Sequence, residues 1–292
     1  MKKYTKFATR FLALATPAIA SSIFATLPSQ AATFAYSESR FNINNFSSSP
    51  SDVEVLTDTL TEAISTGGQV TADANAEANF NIDANNSASN LSFSQAQGRG
   101  DGYAGSAKSL AGIIGYDFTV DKDKEFSFDF SGFFKLETSI FETSINDQFT
   151  ESANAYGLFS YELYDSASNE LLDSFNIYGN LSTLGDNDTF AFEASKNITF
   201  DLSQTTTDNF FGGTQEYASA NFKGKYSRTF DKLTHLTLVE SKKNQVSVYT
   251  VPEPSTVLGS LLSCTMLGAT LIRKRKRASS AALFVNKDLR AV

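Results

Sequence analysis

The stretch QVTADANAEANFNIDA, residues 69–84, alternates between apolar and polar side chains without interruption. A period of two residues is the period of a β-strand, so the stretch predicts one long strand. Its apolar side chains fall on one face: Val70, Ala72, Ala74, Ala76, Ala78, Phe80, Ile82 and Ala84. Because most of these side chains are alanines, the face predicts that a second layer packs closely over it.

Similar patterns fill most of the chain that follows. Nine further segments have strand-like patterns bounded by turn residues: 115–120, 125–132, 155–164, 170–180, 189–195, 198–203, 216–230, 235–241 and 245–251. Regularly spaced strands of this kind are typical of an all-β sandwich. We therefore predict a single antiparallel β-sandwich, jelly-roll-like, over residues 32–250. The expected core side chains are Phe126, Phe128, Phe130, Phe159, Phe190, Phe192 and Leu238.

One segment upstream of residue 69 has a different period. The stretch SDVEVLTDTLTEAIST, residues 51–66, places Val53, Leu56, Leu60 and Ile64 at helical spacing. Ser51 or Asp52 could cap the start of a helix, and a glycine pair follows its end. The pattern predicts one short N-terminal helix.

The charge of the chain is unevenly distributed. Of the 24 basic residues, four precede residue 32 and seven follow residue 252, which leaves 13 in the body, residues 32–252. Of the 32 acidic residues, only two lie outside the body, which leaves 30. The body therefore has a net charge of −17, which disfavours nucleic acid and anionic lipid as partners.

The first 31 residues have the order of parts of a secretory signal peptide. A basic start, MKKYTKFATR, precedes an apolar run and then PSQAA, which places Ser29 and Ala31 at the −3 and −1 positions of a cleavage site. We expect cleavage between Ala31 and Ala32, which makes the protein an exported one.

The C-terminal region has three parts in a fixed order. The step Pro252-Glu253-Pro254 precedes an apolar run of 16 residues, 257–272. As a helix this run would be about 24 Å long at ~1.5 Å per residue, a short membrane span. Five consecutive basic residues follow: Arg273, Lys274, Arg275, Lys276 and Arg277. Positive flanks stay in the cytoplasm, so this cluster would orient the span and leave residues 278–292 as a cytoplasmic tail.

Residues 251–277 together resemble the PEP-CTERM sorting signal, in which a Pro-Glu-Pro motif precedes a transmembrane helix and a basic cluster. The stretches FSFDFSG (126–132), SRTFD (227–231) and LTLVE (236–240) also look like the β-rich ectodomains of cyanobacterial PEP-CTERM proteins. The resemblance implies processing by exosortase, a membrane protease-transpeptidase. It further implies a transient anchor in the inner membrane, followed by the cell surface or the extracellular space.

Candidate sites inside the body are few. Asp186 and Asp188 place carboxylates at alternate positions and are the best candidates for calcium ligands, with an Asx turn as the alternative. The single histidine, His235, has no recognisable nucleophile motif near it in sequence, so we predict no catalytic site, and no cofactor beyond calcium is expected.

The sequence therefore predicts a cell-surface or extracellular-matrix protein with a structural or adhesive role. The alternative is a carbohydrate-binding module for secreted polysaccharide, since sugars stack on exposed aromatic rings. The tyrosines available for this are Tyr103, Tyr116, Tyr156, Tyr161, Tyr164, Tyr178, Tyr217, Tyr226 and Tyr249.

Overall fold

The computed structural model describes residues 33–82, 86–100, 102–140, 150–183, 185 and 187–251. Within those residues the chain forms β-strands and no helix. The strands are β1 (Thr33–Asn44), β2 (Asp52–Ser65), β3 (Gln69–Asn81), β4 (Ser87–Arg99), β5 (Tyr103–Val120), β6 (Lys124–Ile140), β7 (Thr150–Asp165), β8 (Leu171–Thr183), β9 (Thr189–Ala194), β10 (Ile198–Phe200), β11 (Thr206–Phe210), β12 (Gln215–Phe230) and β13 (Thr234–Val251).

The strands form two antiparallel sheets that face each other, so the predicted all-β, sandwich-like class is confirmed. Sheet A has the order β10-β12-β6-β1-β4-β3, with β11 also paired to β12. Sheet B has the order β2-β5-β13-β7-β8-β9. The packing described below lies within one compact unit, residues up to 144 and 151–250.

One half of the sandwich is filled by aromatic rings. Phe41 of sheet A meets Phe159 of sheet B with ring centroids 4.5 Å apart, and Phe130 of sheet A lies 5.9 Å from Phe175 of sheet B. Rings of this size exclude water from the space between the sheets and carry much of the apolar burial. Of the predicted core, five side chains are fully buried: Phe126, Phe128, Phe130, Phe159 and Leu238. The other two, Phe190 and Phe192, are half-buried and pack against the core.

The other half of the sandwich is thin because its facing side chains are small. A Cβ atom on Gly105 of β5 would lie 2.5 Å from Val70 Cγ2 of β3. The hydroxyls of Ser92 on β4 and Ser109 on β5 meet across the two sheets at 2.8 Å. The contact of Gly105 with Val70 confirms that a second layer packs closely over the alanine face, within the described residues 69–82.

The predicted helix at residues 51–66 is wrong. These residues form β2, which pairs with β5 from Asp52–Tyr116 to Ser65–Tyr103. The same segment carries β-branched residues at every second position from Val53 to Thr61, a strand pattern that competes with the helical one. Because β5 is 18 residues long and offers an unpaired edge, pairing along its length overrides the local helical period.

The turn at residues 121–123 does not close a hairpin. It connects β5 of sheet B to β6 of sheet A, and the amide of Asp123 donates to the carbonyl of Phe230 at 2.7 Å. By contrast, the turn between β7 and β8 does close a hairpin, since these two strands pair antiparallel.

Both ends of the described chain lie at the same end of the sandwich. Thr33 Oγ1 is hydrogen-bonded to Tyr103 Oη, and the Tyr103 amide donates to Thr250 Oγ1 at 3.2 Å. The chain therefore enters β1 and leaves β13 beside the same residue.

Candidate functional site

A groove opens on the outer face of sheet B, where β7, β8 and β13 lie side by side. Its volume is about 280 Å³. Its lining is mostly polar: Asn154, Tyr156, Asn180, Lys243, Gln245, Val246 and Ser247. Polar groups of this kind beside an aromatic ring can fix the orientation of a small polar ligand.

Hydrogen bonds within the groove hold Asn154 in place. Its Oδ1 accepts from Ser182 Oγ of β8 at 2.9 Å, and its Nδ2 lies 3.4 Å from Ser247 Oγ of β13. At the rim, Asn180 Nδ2 lies 3.4 Å from the carbonyl oxygen of Asn187. Asn154 therefore connects the three strands that form the groove, and the groove has defined walls.

A positive charge lies in the groove. The ammonium of Lys243 stands 5.2 Å from the centroid of the Tyr156 ring, within the range of a cation–π contact. Lys108 on β5 pairs directly with Gln245, the next residue along β13 on the same outer face. Burial lowers the pKa of Lys243, and the charge of Lys108 lowers it further. Both effects disfavour positive charge on Lys243, whereas an anion beside it would favour the charged form.

A buried polar layer supports the groove from inside the sandwich. Ser37 Oγ of sheet A donates to the carbonyl of Tyr156 at 2.8 Å, and Asn244 Nδ2 donates to Ser37 Oγ at 2.6 Å. Ser94 Oγ donates to the Asn244 carbonyl at 3.1 Å. Since Asn244 lies between Lys243 and Gln245, these bonds fix the backbone that carries both groove residues.

The inner face of β13, on which Asn244 lies, also carries a buried ion pair, Glu240 and Lys242. Asn90 Nδ2 of β4 donates to Glu240 Oε2, so the pair is tied to sheet A. Burial raises the pKa of Glu240 to about 7 and lowers that of Lys242 to about 8. The pair is enclosed and faces away from the groove, so we assign it to the interior of the fold and not to the site.

Asp188 plays a local structural part. Its Oδ1 accepts from the Ser182 amide at 2.8 Å and so holds the segment that follows β8 against that strand. Asp186, its predicted calcium partner, lies outside the described residues. Among the residues that the structure describes, no group of three His, Cys, Asp or Glu side chains is arranged to hold a metal ion.

His235 lies at the surface, away from the groove residues. Its Nδ1 is 3.4 Å from Thr119 Oγ1 and 3.8 Å from Asp117 Oδ1. These two neighbours lie on β5, across the strand pair from the histidine.

Burial excludes several of the nine tyrosines from contact with a sugar. Four of the nine are buried: Tyr103, Tyr116, Tyr161 and Tyr226. Tyr156 lines the groove, while Tyr249, two residues after Ser247 on β13, is exposed. Sequence reasoning named Tyr156 only as one of nine, and it missed Asn154, Asn180, Lys243 and Gln245.

The predictions for the two ends of the chain concern residues outside those that the structure describes. These are the cleavage site at Ala31 and Ala32, the motif Pro252-Glu253-Pro254, the span 257–272 and the basic cluster 273–277. In the described part of the chain, none of the secondary structure is a helix long and apolar enough to cross a membrane.

Comparisons with known proteins assign the chain to no family. No family model matches the sequence, and no curated protein matches it. Among solved structures, the crystal structure of the lysenin pore aligns with 68% of this chain and 99% of its own, at 6% identity and a TM-score of 0.07. A similarity this low carries no argument about fold or function.

Proposed function

We propose that the protein is exported and sorted to the cell surface or extracellular matrix, where it has a structural or adhesive role and is not an enzyme. The N-terminal 31 residues direct export. An exosortase-type protease reads Pro252-Glu253-Pro254 while residues 257–272 hold the chain transiently in the inner membrane. The basic cluster at 273–277 and the tail at 278–292 remain on the cytoplasmic side.

One structural observation carries this proposal. Strand β13, the last strand among the residues that the structure describes and a central strand of sheet B, ends at Val251, and the motif begins at the next residue. Proline has no amide hydrogen and fixes its φ angle, so Pro252 and Pro254 favour an extended segment that a protease cleft could accept. Cleavage after the motif would leave every strand of the sandwich intact.

The order of the strands agrees with this role. Most connections between consecutive strands pass from one sheet to the other, and we keep the jelly-roll-like description as part of the proposal. The core strands of such a sandwich resist local opening, which would suit a domain outside the cell.

The test is an immunoblot of membrane and medium fractions from the native host. Glu253→Gln, and separately the pair Pro252→Ala and Pro254→Ala, should leave insertion intact and make the unprocessed form accumulate. Glu170→Gln, which removes one exposed acidic charge from the turn before β8, is the matched control. Processing of the motif variants at the wild-type rate would refute the proposal.

A second candidate function is carbohydrate binding, and the groove on sheet B favours it. The observation is the side-by-side placement of Tyr156, Asn154 and Asn180 in a space of about 280 Å³. Retention of the protein on the host's secreted polysaccharide should be competed by free sugar and should fall in Asn154→Ala. Asn209→Ala, on β11 of the opposite sheet, is the control and should be retained like wild type.

A further inference from the structure

Lys243 in the groove and Lys108 beside it on β5 are unusual in their surroundings. The body has a net charge of −17, yet neither Lys243 nor Lys108 forms an ion pair with another described residue. Asp58 of β2 lies near Lys108 on the side away from the groove. Burial raises the pKa of Asp58, and the positive charge of Lys108 acts in the opposite direction. The groove is therefore a positively charged site on an acidic protein. An anion would bind there only if its attraction to Lys243 outweighs its repulsion by the net negative charge of the body.

The groups around Lys243 are arranged to bind more than a simple ion. Gln245 is exposed, and no hydrogen bond joins its side-chain amide to another residue that the structure describes. Asn180 lies on the opposite wall, where Asp188 is already engaged by the Ser182 amide. A ligand here would meet one cation and several neutral donors and acceptors within a single pocket. A sugar with one charged substituent presents this combination of groups.

We propose that the groove binds a sugar unit that carries an anionic group, either a uronate carboxylate or a sulfate ester. The anion lies at Lys243, and the hydroxyls contact Asn154, Asn180 and Gln245. This inference rests on the second candidate function and narrows it to acidic polysaccharide. It is independent of the sorting proposal.

The buried layer explains why the site would keep its shape without ligand. Ser37 is hydrogen-bonded to the Tyr156 carbonyl and to the side chain of Asn244, the residue after Lys243. Ser182 and Ser247 are hydrogen-bonded to Asn154 on its two sides. Groups held in place before binding lose less conformational freedom on binding. The Tyr156 ring beneath the Lys243 ammonium restricts that side chain in the same way.

The test is calorimetric titration of the full-length protein in detergent micelles with three galactose-based hexasaccharides. One is a galacturonate hexamer, one a sulfated galactan hexamer and one a neutral galactan hexamer. At least one charged hexamer should bind about ten-fold more tightly than the neutral one, and this preference should weaken as salt screens the charge. The two charged hexamers distinguish carboxylate from sulfate.

Variants at Lys243 make the result specific to the groove. Lys243→Gln should remove the preference for charge, and Lys243→Arg should keep most of it. Lys122→Gln, in the exposed turn between β5 and β6, should bind like wild type; thermal unfolding of each variant checks that it is folded. If the neutral hexamer binds as tightly as the charged ones, the inference fails and carbohydrate binding stands. If no hexamer binds, both fail and the sorting proposal is untouched.

Discussion

Lys242 Nζ donates to Glu240 Oε1 at 2.5 Å, and both side chains are enclosed, with 0% and 1% of their surface exposed. The two residues are two apart on β13, so they share the inner face of the strand. The ammonium also lies 5.1 Å and 5.5 Å from the ring centroids of Phe159 and Phe41. Each charge is therefore balanced only by the other, by neutral hydrogen bonds and by ring faces.

Removing one partner of this pair should be far more harmful than removing both. Lys242→Met leaves the Glu240 carboxylate buried without its cation, and we expect a loss of about 3–5 kcal/mol in the free energy of unfolding. The double variant Glu240→Gln with Lys242→Met should recover most of that loss. Urea unfolding measures both; a single variant as stable as wild type, or a double variant no better than the single, contradicts the interpretation.

The pair should also give the stability a distinctive pH dependence. Burial raises the Glu240 pKa from 4.5 to about 7, so the folded state binds more protons in that window, and stability falls as pH rises through it. The Lys242 pKa drops from 10.5 to about 8, so stability recovers as pH rises from 8 towards 10.5.

The double variant is the reference for this measurement, because the other titrating groups cancel in the difference. The stability of wild type relative to the double variant should fall by about 1–3 kcal/mol between pH 5 and 7 and rise again above pH 8. A difference that stays flat from pH 5 to 10 would show that the pair is not held as described.

A second ionic contact joins the sheets near the aromatic half of the core. Asp173 of β8, 3% exposed, accepts from Arg228 Nη1 and Tyr226 Oη of β12, each at 2.8 Å. Asp173→Ala leaves both donors without this acceptor, and we expect a loss of about 3 kcal/mol in chemical unfolding. Asp231→Ala, at an exposed position after β12, should change the stability by less than about 0.5 kcal/mol. Equal effects from the two variants would exclude a bridging role.

Gly132 on β6 should tolerate no side chain. A Cβ atom there would lie 2.2 Å from Phe222 Cζ and 2.9 Å from the Arg40 carbonyl oxygen. Gly132→Ala should destabilise the protein by about 1–3 kcal/mol, because the Phe222 ring must move out of a packed core. Gly112→Ala, where the nearest atom would be 3.3 Å away, is the control and should cost less in the same unfolding assay.

Much of the fold follows from local pattern, because strand alternation needs only neighbouring residues. The alternation of residues 69–84 predicted both β3 and the thin half of the sandwich, where Gly105 approaches Val70. The predicted helix at 51–66 was wrong because β2 is fixed by pairing with β5, whose residue Tyr116 pairs with Asp52 although it lies 64 residues further along the chain. Local spacing carries no information about such a partner.

The groove could not be predicted from the sequence, for the same reason. Asn154, Asn180 and Lys243 come from three strands, and only the lateral order β13-β7-β8 brings them together. The Glu240–Lys242 pair did leave a signal in the sequence. Both residues continue the apolar face of Leu236 and Leu238, where a charge at every second position marks either a strand end or a buried pair.

The sorting account is tested most directly by the intact mass and N-terminal sequence of the protein recovered from the host's surface or medium. The account predicts a chain that begins at Ala32 and lacks the basic cluster Arg273–Arg277, with a C-terminus beyond Val251 so that β13 is complete. A recovered chain that begins at Met1, or one that still ends at Val292, would contradict it.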